Sequence, residues 1–261
     1  MIYVVVSSKQ EKRFIKENLV KIKDYFFDIY ENTKIKLIIS GIGAYNVSSS
    51  ISYICRLFEP QKNDLILNYG FAATKEIKYV NNIFRINTVK DFCLNKNMYF
   101  DLTYDLGLQE RSLVTMPKPV ENNEMEKNML YDMEGYAFYQ ISRKFFDRQN
   151  IFMIKKISDN GKNNFDLKNI DLNDGLDKTF EKLYNISDEQ EKIYKIKELK
   201  YIKSSMIKSN FTKVQKDLII KKLYQFLLDG KEINNLLDEI IKKEFNNKRE
   251  RNCYFEQIIK S

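Results

Sequence analysis

Residues Ile2 to Val6 read Ile-Tyr-Val-Val-Val, apolar at every position. A strand with one wet face alternates apolar and polar residues, so an unbroken run marks a strand buried on both faces, as in a parallel sheet covered by helices. Asp64 to Asn68 reads as another buried strand, and Lys34 to Ile39, Ile83 to Val89, Ser112 to Thr115 and Ile151 to Ile157 read as further strands. Helical spacing lies between them: Lys9 to Ile29 places Phe14, Leu19, Ile22 and Phe26 on one face, and Ala44 to Phe58 is small and apolar at the same period. Strand and helix in alternation predict an α/β domain, whose ligands collect at the carboxyl ends of the strands.

The turns at those ends carry the chemistry. Ser40-Gly41-Ile42-Gly43 links a strand to the helix at Ala44, and Tyr69-Gly70-Phe71-Ala72-Ala73 follows the next strand as a turn of small residues. Glycine there permits positive φ and close approach of a ligand to the backbone. Asp91 to Leu108 is a polar and aromatic loop or hairpin, Pro117 and Pro119 force an extended segment, and Asn122-Asn123 turns the chain. Leu130 to Ser142 then opens with Asp132, Met133 and Glu134 ahead of Gly135 and continues as an apolar helix through Ala137, Phe138 and Ile141. A carboxylate at a strand-to-helix junction can meet ligand hydroxyls together with free backbone N–H groups. Ile157-Ser158-Asp159 closes the last strand, so two acidic residues each end a buried element.

Past residue 159 the chain changes character. Residues 160–174 are a loop rich in Asn, Asp and Gly, and the remainder reads as helices only. Ser187 with Gln190 and Thr212 with Gln215 fit capping boxes at helix starts. Ile219, Leu223, Phe226 and Leu227 form one apolar stripe that Asp229-Gly230 stops, and Ile233, Leu236, Leu237, Ile240 and Ile241 form another. Lys248, Arg249 and Arg251 read as a solvated face. The organisation expected is a domain over 1–187 and a helical region over 188–261.

Net charge is +8, which invites a nucleic-acid partner. Residues 1–170 hold 25 basic and 20 acidic side chains and the remainder 19 and 16, so the excess reads as spread, without the clustered basic face such a partner requires. The chain has no histidine, and its three cysteines, Cys55, Cys93 and Cys253, are widely spaced. This excludes Cys/His zinc sites and histidine-based triads, and no metal or other cofactor is expected. The opening Met-Ile-Tyr-Val-Val-Val is too short for a signal peptide, and no segment approaches the roughly 20 apolar residues of a membrane span. A cytoplasmic setting without membrane contact is the expectation.

Four motifs in this order resemble the purine nucleoside phosphorylase superfamily: Ser-Gly-Ile-Gly at 40–43, Asp-Leu-Ile-Leu-Asn-Tyr-Gly-Phe-Ala-Ala at 64–73, Asp-Met-Glu-Gly-Tyr-Ala at 132–137, and Ile-Ser-Asp at 157–159. Its methylthioadenosine/S-adenosylhomocysteine nucleosidases are the most similar branch. The resemblance spans residues 1 to about 185 and implies a three-layer α/β/α phosphorylase-like mixed sheet, here with an all-helical C-terminal extension. It further implies a homo-oligomer, a dimer or larger, acting on a small-molecule purine nucleoside, including adenosines with a 5′ substituent.

By the same resemblance Asp159 is the general acid at the purine, Glu134 grips ribose hydroxyls and Met133 lines the sugar, while Gly41, Gly43, Gly70, Phe71 and Ser158 line the pocket. Breaking an N-glycosidic bond requires a proton on the leaving base and stabilisation of an oxocarbenium-like sugar. An acid working near neutral pH needs a raised pKa, which desolvation at the end of a buried strand would give Asp159. Asn68 stands where a phosphorylase carries a phosphate-holding arginine, which favours water as nucleophile. Three departures accompany the likeness. Lys12 occupies the ungapped position of the water-activating glutamate, leaving Glu11 one residue short. Met116-Pro117-Lys118-Pro119 replaces residues that stack on the purine. The stretch before Ser40 is short enough that a hairpin of the sheet is expected to be missing. They keep open a second reading, a catalytically inactive nucleoside-binding regulator with a helical interaction module.

Overall fold

In the computed structural model, residues 1–23, 25–161, 176–229, 231 and 233–260 are described. The apolar run at the N-terminus forms β1 (Ile2–Val6), buried at all five positions. Its odd and even side chains enter two different cores: Tyr3 and Val5 pack in one, Ile2, Val4 and Val6 in the other. β1 is parallel to β4 (Ile35–Ile39) on one side and to β5 (Leu65–Thr74) on the other. One core is closed by α2 (Ala44–Phe58) and α3 (Gly135–Ser142), through Val47, Ile51, Ile54, Phe138 and Tyr139. The opposite core is closed by Leu176, Phe180, Leu183 and Ile186 of α4 (Leu176–Met206). Each fully buried aliphatic or aromatic side chain contributes about 1.5–3 kcal/mol, so both layers are held by burial.

Four more strands complete the sheet around the site: β6 (Ile83–Asp91), β8 (Glu110–Thr115), β9 (Met129–Asp132) and β10 (Ile151–Asp159). Pairing runs β5–β10–β6–β8–β9 and returns to β5, so these five strands close on themselves, with β1 and β4 extending outward from β5. The N-terminal half of β5 pairs with β1 up to Asn68, whereas β9 joins it only at Ala73. Between those points that edge of β5 has no strand beside it, and the site forms in the gap.

Several expectations are corrected. The helix expected over Lys9 to Ile29 is one short turn, α1 (Lys9–Lys12), followed by an antiparallel hairpin of β2 (Val20–Ile22) and β3 (Asp28–Glu31) that pairs onto β4. The hairpin expected to be missing is therefore present. Helical spacing misleads here because Ile22 and Ile29, seven residues apart, also fit a strand pair in which they face each other. Tyr69 to Ala73 is not a turn, since β5 continues through it alongside β10. Within the Asp91–Leu108 stretch, a hairpin joins β6 to β7 (Lys96–Tyr99).

The chain divides into two compact units, Met1–Asp188 and Glu189–Ser261. Ser187 does not start a helix: α4 runs through it, because its 31 residues include no Gly or Pro to interrupt a hydrogen-bonded ladder. Thr212 does cap, accepting from Gln215 N–H, ahead of α5 (Lys213–Leu228). With α6 (Asn234–Lys242) and α7 (Lys248–Lys260) it builds a separate core of Ile202, Met206, Ile219, Leu223, Leu237, Ile240 and Ile258. Gly230 and most of the stretch expected as a loop at 160–174 lie outside the described residues. The unit boundary also revises the charge reading. Glu189–Ser261 holds 17 Lys and Arg against 11 Asp and Glu, a net of +6 out of the chain's +8, so the excess is concentrated in the helical unit. No described helix is long and apolar enough to cross a membrane.

Candidate active site

A cavity of about 370 Å³ lies at the carboxyl ends of β1, β5, β9 and β10, lined among others by Glu11, Phe71, Met133, Glu134, Ser158 and Asp159. The sequence-predicted residues thus converge from separate stretches of chain. Gly41, Gly43 and Gly70, expected to line it, do not; Gly43 acts through its N–H on Glu134, and Gly70 lies against Glu11 and Lys155.

Glu11 is brought there by its own short helix. Ser8 caps α1 and Glu11 reaches back in a capping box. Its Oε2 accepts from Ser7 N–H at 2.5 Å and Ser8 N–H at 2.9 Å. Oε1 accepts from Phe71 N–H at 3.0 Å, which takes up a donor on the edge of β5 that has no strand beside it. Glu11 is 5% exposed. Burial raises its pKa, against the opposing pull of the Phe71 N–H, Lys155 and the Ser7 and Ser8 N–H groups. Lys12 is directed elsewhere, with its ammonium 4.4 Å from the centre of the Tyr30 ring.

Glu134 sits between β9 and α3. Its Oε1 accepts from Gly43 N–H at 2.6 Å, where Gly43 holds φ +98 at the mouth of α2, a conformation L side chains rarely adopt. Burial pushes its pKa up to about 7. Asp132 adds to this, Lys155 and the Gly43 N–H oppose it, and Glu11 adds again. Asp132 is engaged differently: Oδ1 accepts from Thr115 Oγ1 at 2.8 Å, and Oδ2 accepts from Gly135 N–H at 2.8 Å and meets Lys155 Nζ at 2.8 Å. It joins β8, the start of α3 and β10.

Lys155 is not singled out by sequence reasoning, in which it is one residue of an apolar strand. It is fully buried, and its ammonium lies among Asp132, Glu134 and Glu11. Burial, the largest effect, lowers its pKa, but the three carboxylates together outweigh that and hold it above its ordinary value. Gly70 leaves room for this meeting, since a Cβ there would stand 3.1 Å from Glu11 Oε1 and 3.2 Å from Lys155 Nζ. A signal is present in the sequence: charge inside an otherwise apolar strand is found only where it is paired.

Asp159 corrects an expectation. It ends β10 but is only partly buried, so the desolvation expected for it is incomplete. Ser158 Oγ donates to its Oδ2 at 2.7 Å and Gly161 N–H to its Oδ1 at 2.8 Å, which orients the carboxyl at the rim. Met116, Lys118, Pro119 and Val120 form the adjoining wall. Asn68 is buried beneath, its amide donating to Val5 O at 3.1 Å.

Together these features define an α/β protein of phosphorylase-like topology, with a carboxylate-rich pocket at the strand ends. Solved structures of nucleosidases share this fold. The 5′-methylthioadenosine/S-adenosylhomocysteine nucleosidase of Streptococcus pneumoniae, in complex with a transition-state inhibitor, is 16% identical with a TM-score of 0.57, over 71% of this chain and 97% of that one. The Neisseria meningitidis enzyme in complex with methylthio-immucillin-A is 15% identical with a TM-score of 0.54, over the same shares. An MTAN from Chlamydia trachomatis is 19% identical with a TM-score of 0.53, over 72% and 97%. The covered share is the size of the α/β unit, 188 of 261 residues. No protein-family model matches the sequence, and no curated protein does.

Proposed function

We propose that the α/β unit hydrolyses the N-glycosidic bond of a purine nucleoside, with adenosines carrying a 5′ substituent as the first candidates. The observation that carries this reading is one cavity holding three carboxylates in three different environments. Glu11 is desolvated beside an ammonium, Glu134 is pushed up to about 7, and Asp159 is partly exposed and oriented by Ser158.

In the proposed reaction Glu134 accepts hydrogen bonds from ribose hydroxyls, and Met133 packs against the sugar. Glu11 takes a proton from water as the water oxygen bonds to C1′. The bond from C1′ to the base nitrogen breaks with its electron pair going to the base, and Asp159 delivers the proton that lets the base leave neutral. The Lys155 ammonium pairs with Asp132 at 2.8 Å from behind the cavity wall and does not itself line the cavity. It also lets Glu11 and Glu134 ionise side by side, which like charges otherwise resist. Water is favoured over phosphate because the buried Asn68 amide is tied to the β1 backbone.

The inactive alternative rests on Lys12, which lies over Tyr30 and outside the cavity, and on the 116–119 segment, of which Met116, Lys118 and Pro119 line the cavity. We also read the protein as cytoplasmic and homo-oligomeric, a dimer or larger, with a neighbouring copy covering Ile42 at the cavity and Tyr45 on α2, 61% and 91% exposed; light scattering tests the assembly. The activity test is release of free base from a nucleoside panel with and without phosphate. Phosphate-independent release, reduced by about 10²-fold or more in Asp159→Asn and Glu134→Gln, is expected. Release that both substitutions leave unchanged refutes the assignment.

A further inference from the structure

The helical unit carries a second cavity, unrelated to the first. A groove of about 630 Å³ lies between the C-terminal part of α4 and α5. Its floor is apolar, formed by Leu199, Met206, Ile220 and Tyr224. Lys203 stands on the α4 wall, Lys213, Lys216 and Lys221 stand on the α5 side, and the groove contains one acid, Asp217.

Among the described residues of the unit, Lys195 pairs with Glu191, Lys242 with Asp238 and Lys260 with Glu256, each one turn away. In the groove Lys216 donates to Ile207 O at 2.8 Å, and Lys203, Lys213 and Lys221 have no carboxylate partner among the described residues. Ile207 stands 74% exposed at the mouth. The same helices turn Ile202, Ile219 and Leu223 into the unit's own interior, and Met206 and Ile220 lie where that interior meets the groove.

We propose that this groove docks an acidic amphipathic helix of a partner protein. The charge calls for an anion, and the floor calls for an anion with an apolar face. A phosphate backbone gains nothing from an aliphatic floor, and bases would need aromatic platforms where Tyr224 stands alone. A membrane surface calls for apolar groups on an outward face, as in an interfacial helix, and not at the bottom of a trough. From Lys213 to Tyr224 the wall runs about 16 Å at 1.5 Å per residue, which accommodates roughly three turns of a helix with apolar residues at i, i+3 or i+4, and i+7. Its Asp and Glu side chains would then flank the lysines on both walls.

The test titrates the full chain into a fluorescent helical peptide of Leu and Glu, about 14 residues long, with leucines at that spacing. The same composition with leucines dispersed, a single-stranded oligonucleotide and phosphatidylglycerol vesicles are parallel probes. The groove variant is Lys203→Glu, Lys213→Glu and Lys221→Glu together, all exposed positions. The control carries the same charge change off the groove, at Lys197, Lys208 and Lys248. The expected result is peptide binding that the groove variant weakens by about tenfold or more while the control keeps most of it, with little binding of the dispersed peptide. Equal weakening by both variants, no peptide binding at about 100 μM, or tighter groove-dependent binding of the oligonucleotide or vesicles overturns the proposal.

Discussion

Lys155→Met keeps most of the side-chain length and removes the ammonium, which isolates what the charge does. Lys155 and Asp132 have side chains 1% exposed and 2.8 Å apart, so the substitution leaves Asp132 buried without its cation. Breaking a buried pair from one side costs about 3–5 kcal/mol, a large share of the roughly 5–15 kcal/mol that holds a domain of this size. The loss should depend on pH. In the wild type the Lys155 pKa is raised, so its stabilisation is complete below the unfolded lysine value and is lost only as pH rises through the folded one, well above neutrality. Without it Glu11 and Glu134, already raised by burial, rise further. The variant then holds protons that its unfolded chain releases, so its stability falls as pH increases from about 4.5. Urea denaturation at about pH 5 and pH 8 should show the larger deficit at pH 8. A deficit below about 1 kcal/mol, or one equal at both values, would refute a charge role for Lys155. Adding Asp132→Asn should recover about 1–3 kcal/mol relative to the sum of the single changes.

Other substitutions probe the same cluster. Glu134→Gln keeps an oxygen for the Gly43 N–H but removes a carboxylate whose folded pKa, about 7, lies above its unfolded value. That carboxylate costs stability fully above pH 7 and not at all below about 4.5, so the variant should gain roughly 2–3 kcal/mol at pH 8 while losing hydrolysis; thermal unfolding at the two pH values checks this, and an unchanged midpoint at pH 8 counts against it. Gly135→Ala would set a Cβ 2.6 Å from Leu113 Cδ2 and 2.9 Å from Asp132 Oδ2. A loss of about 1–3 kcal/mol in chemical denaturation is expected as α3 shifts from β8. Gly70→Ala crowds Glu11 and Lys155 at 3.1 and 3.2 Å. Turnover should fall more than stability, which comparing kcat with the denaturation midpoint resolves.

The fold is legible where one physical cause acts alone. Ile2 to Val6, apolar throughout, reads as a strand buried on both faces, and it is one; the strands at Lys34, Ile83 and Ser112 are legible too, although polar residues interrupt their apolar runs. Tyr69 to Ala73 fails because its small residues and single glycine also describe a turn. What keeps it extended is β10 alongside, a partner more than 80 residues away that no local window contains. The hairpin at Val20 to Glu31 fails for a related reason, since Ile22 opposite Ile29 is a cross-strand pair that also fits a helical stripe. Ser187 resembles a cap only when the helical character of the residues before it is left out.

The choice between Glu11 and Lys12 is, by contrast, decidable from four residues. Ser8 followed three positions later by Glu11 is a capping box, and a glutamate engaged there must turn back toward the end of β1, where the cavity lies. Alignment position points to Lys12, but local hydrogen bonding selects Glu11. The same bonding limits how Glu11 can be tested. Its two oxygens accept from three backbone N–H groups, those of Ser7, Ser8 and Phe71. An amide has one accepting oxygen, so Glu11→Gln strands at least one buried donor, at a cost of about 1–3 kcal/mol. Lost turnover in that variant would report a distorted β5 edge as readily as a missing base. Asp159 separates the two effects, because Asp159→Asn keeps an oxygen for the Gly161 N–H. If Asp159→Asn abolishes base release while its unfolding midpoint stays put, chemistry and scaffold have been distinguished at this site.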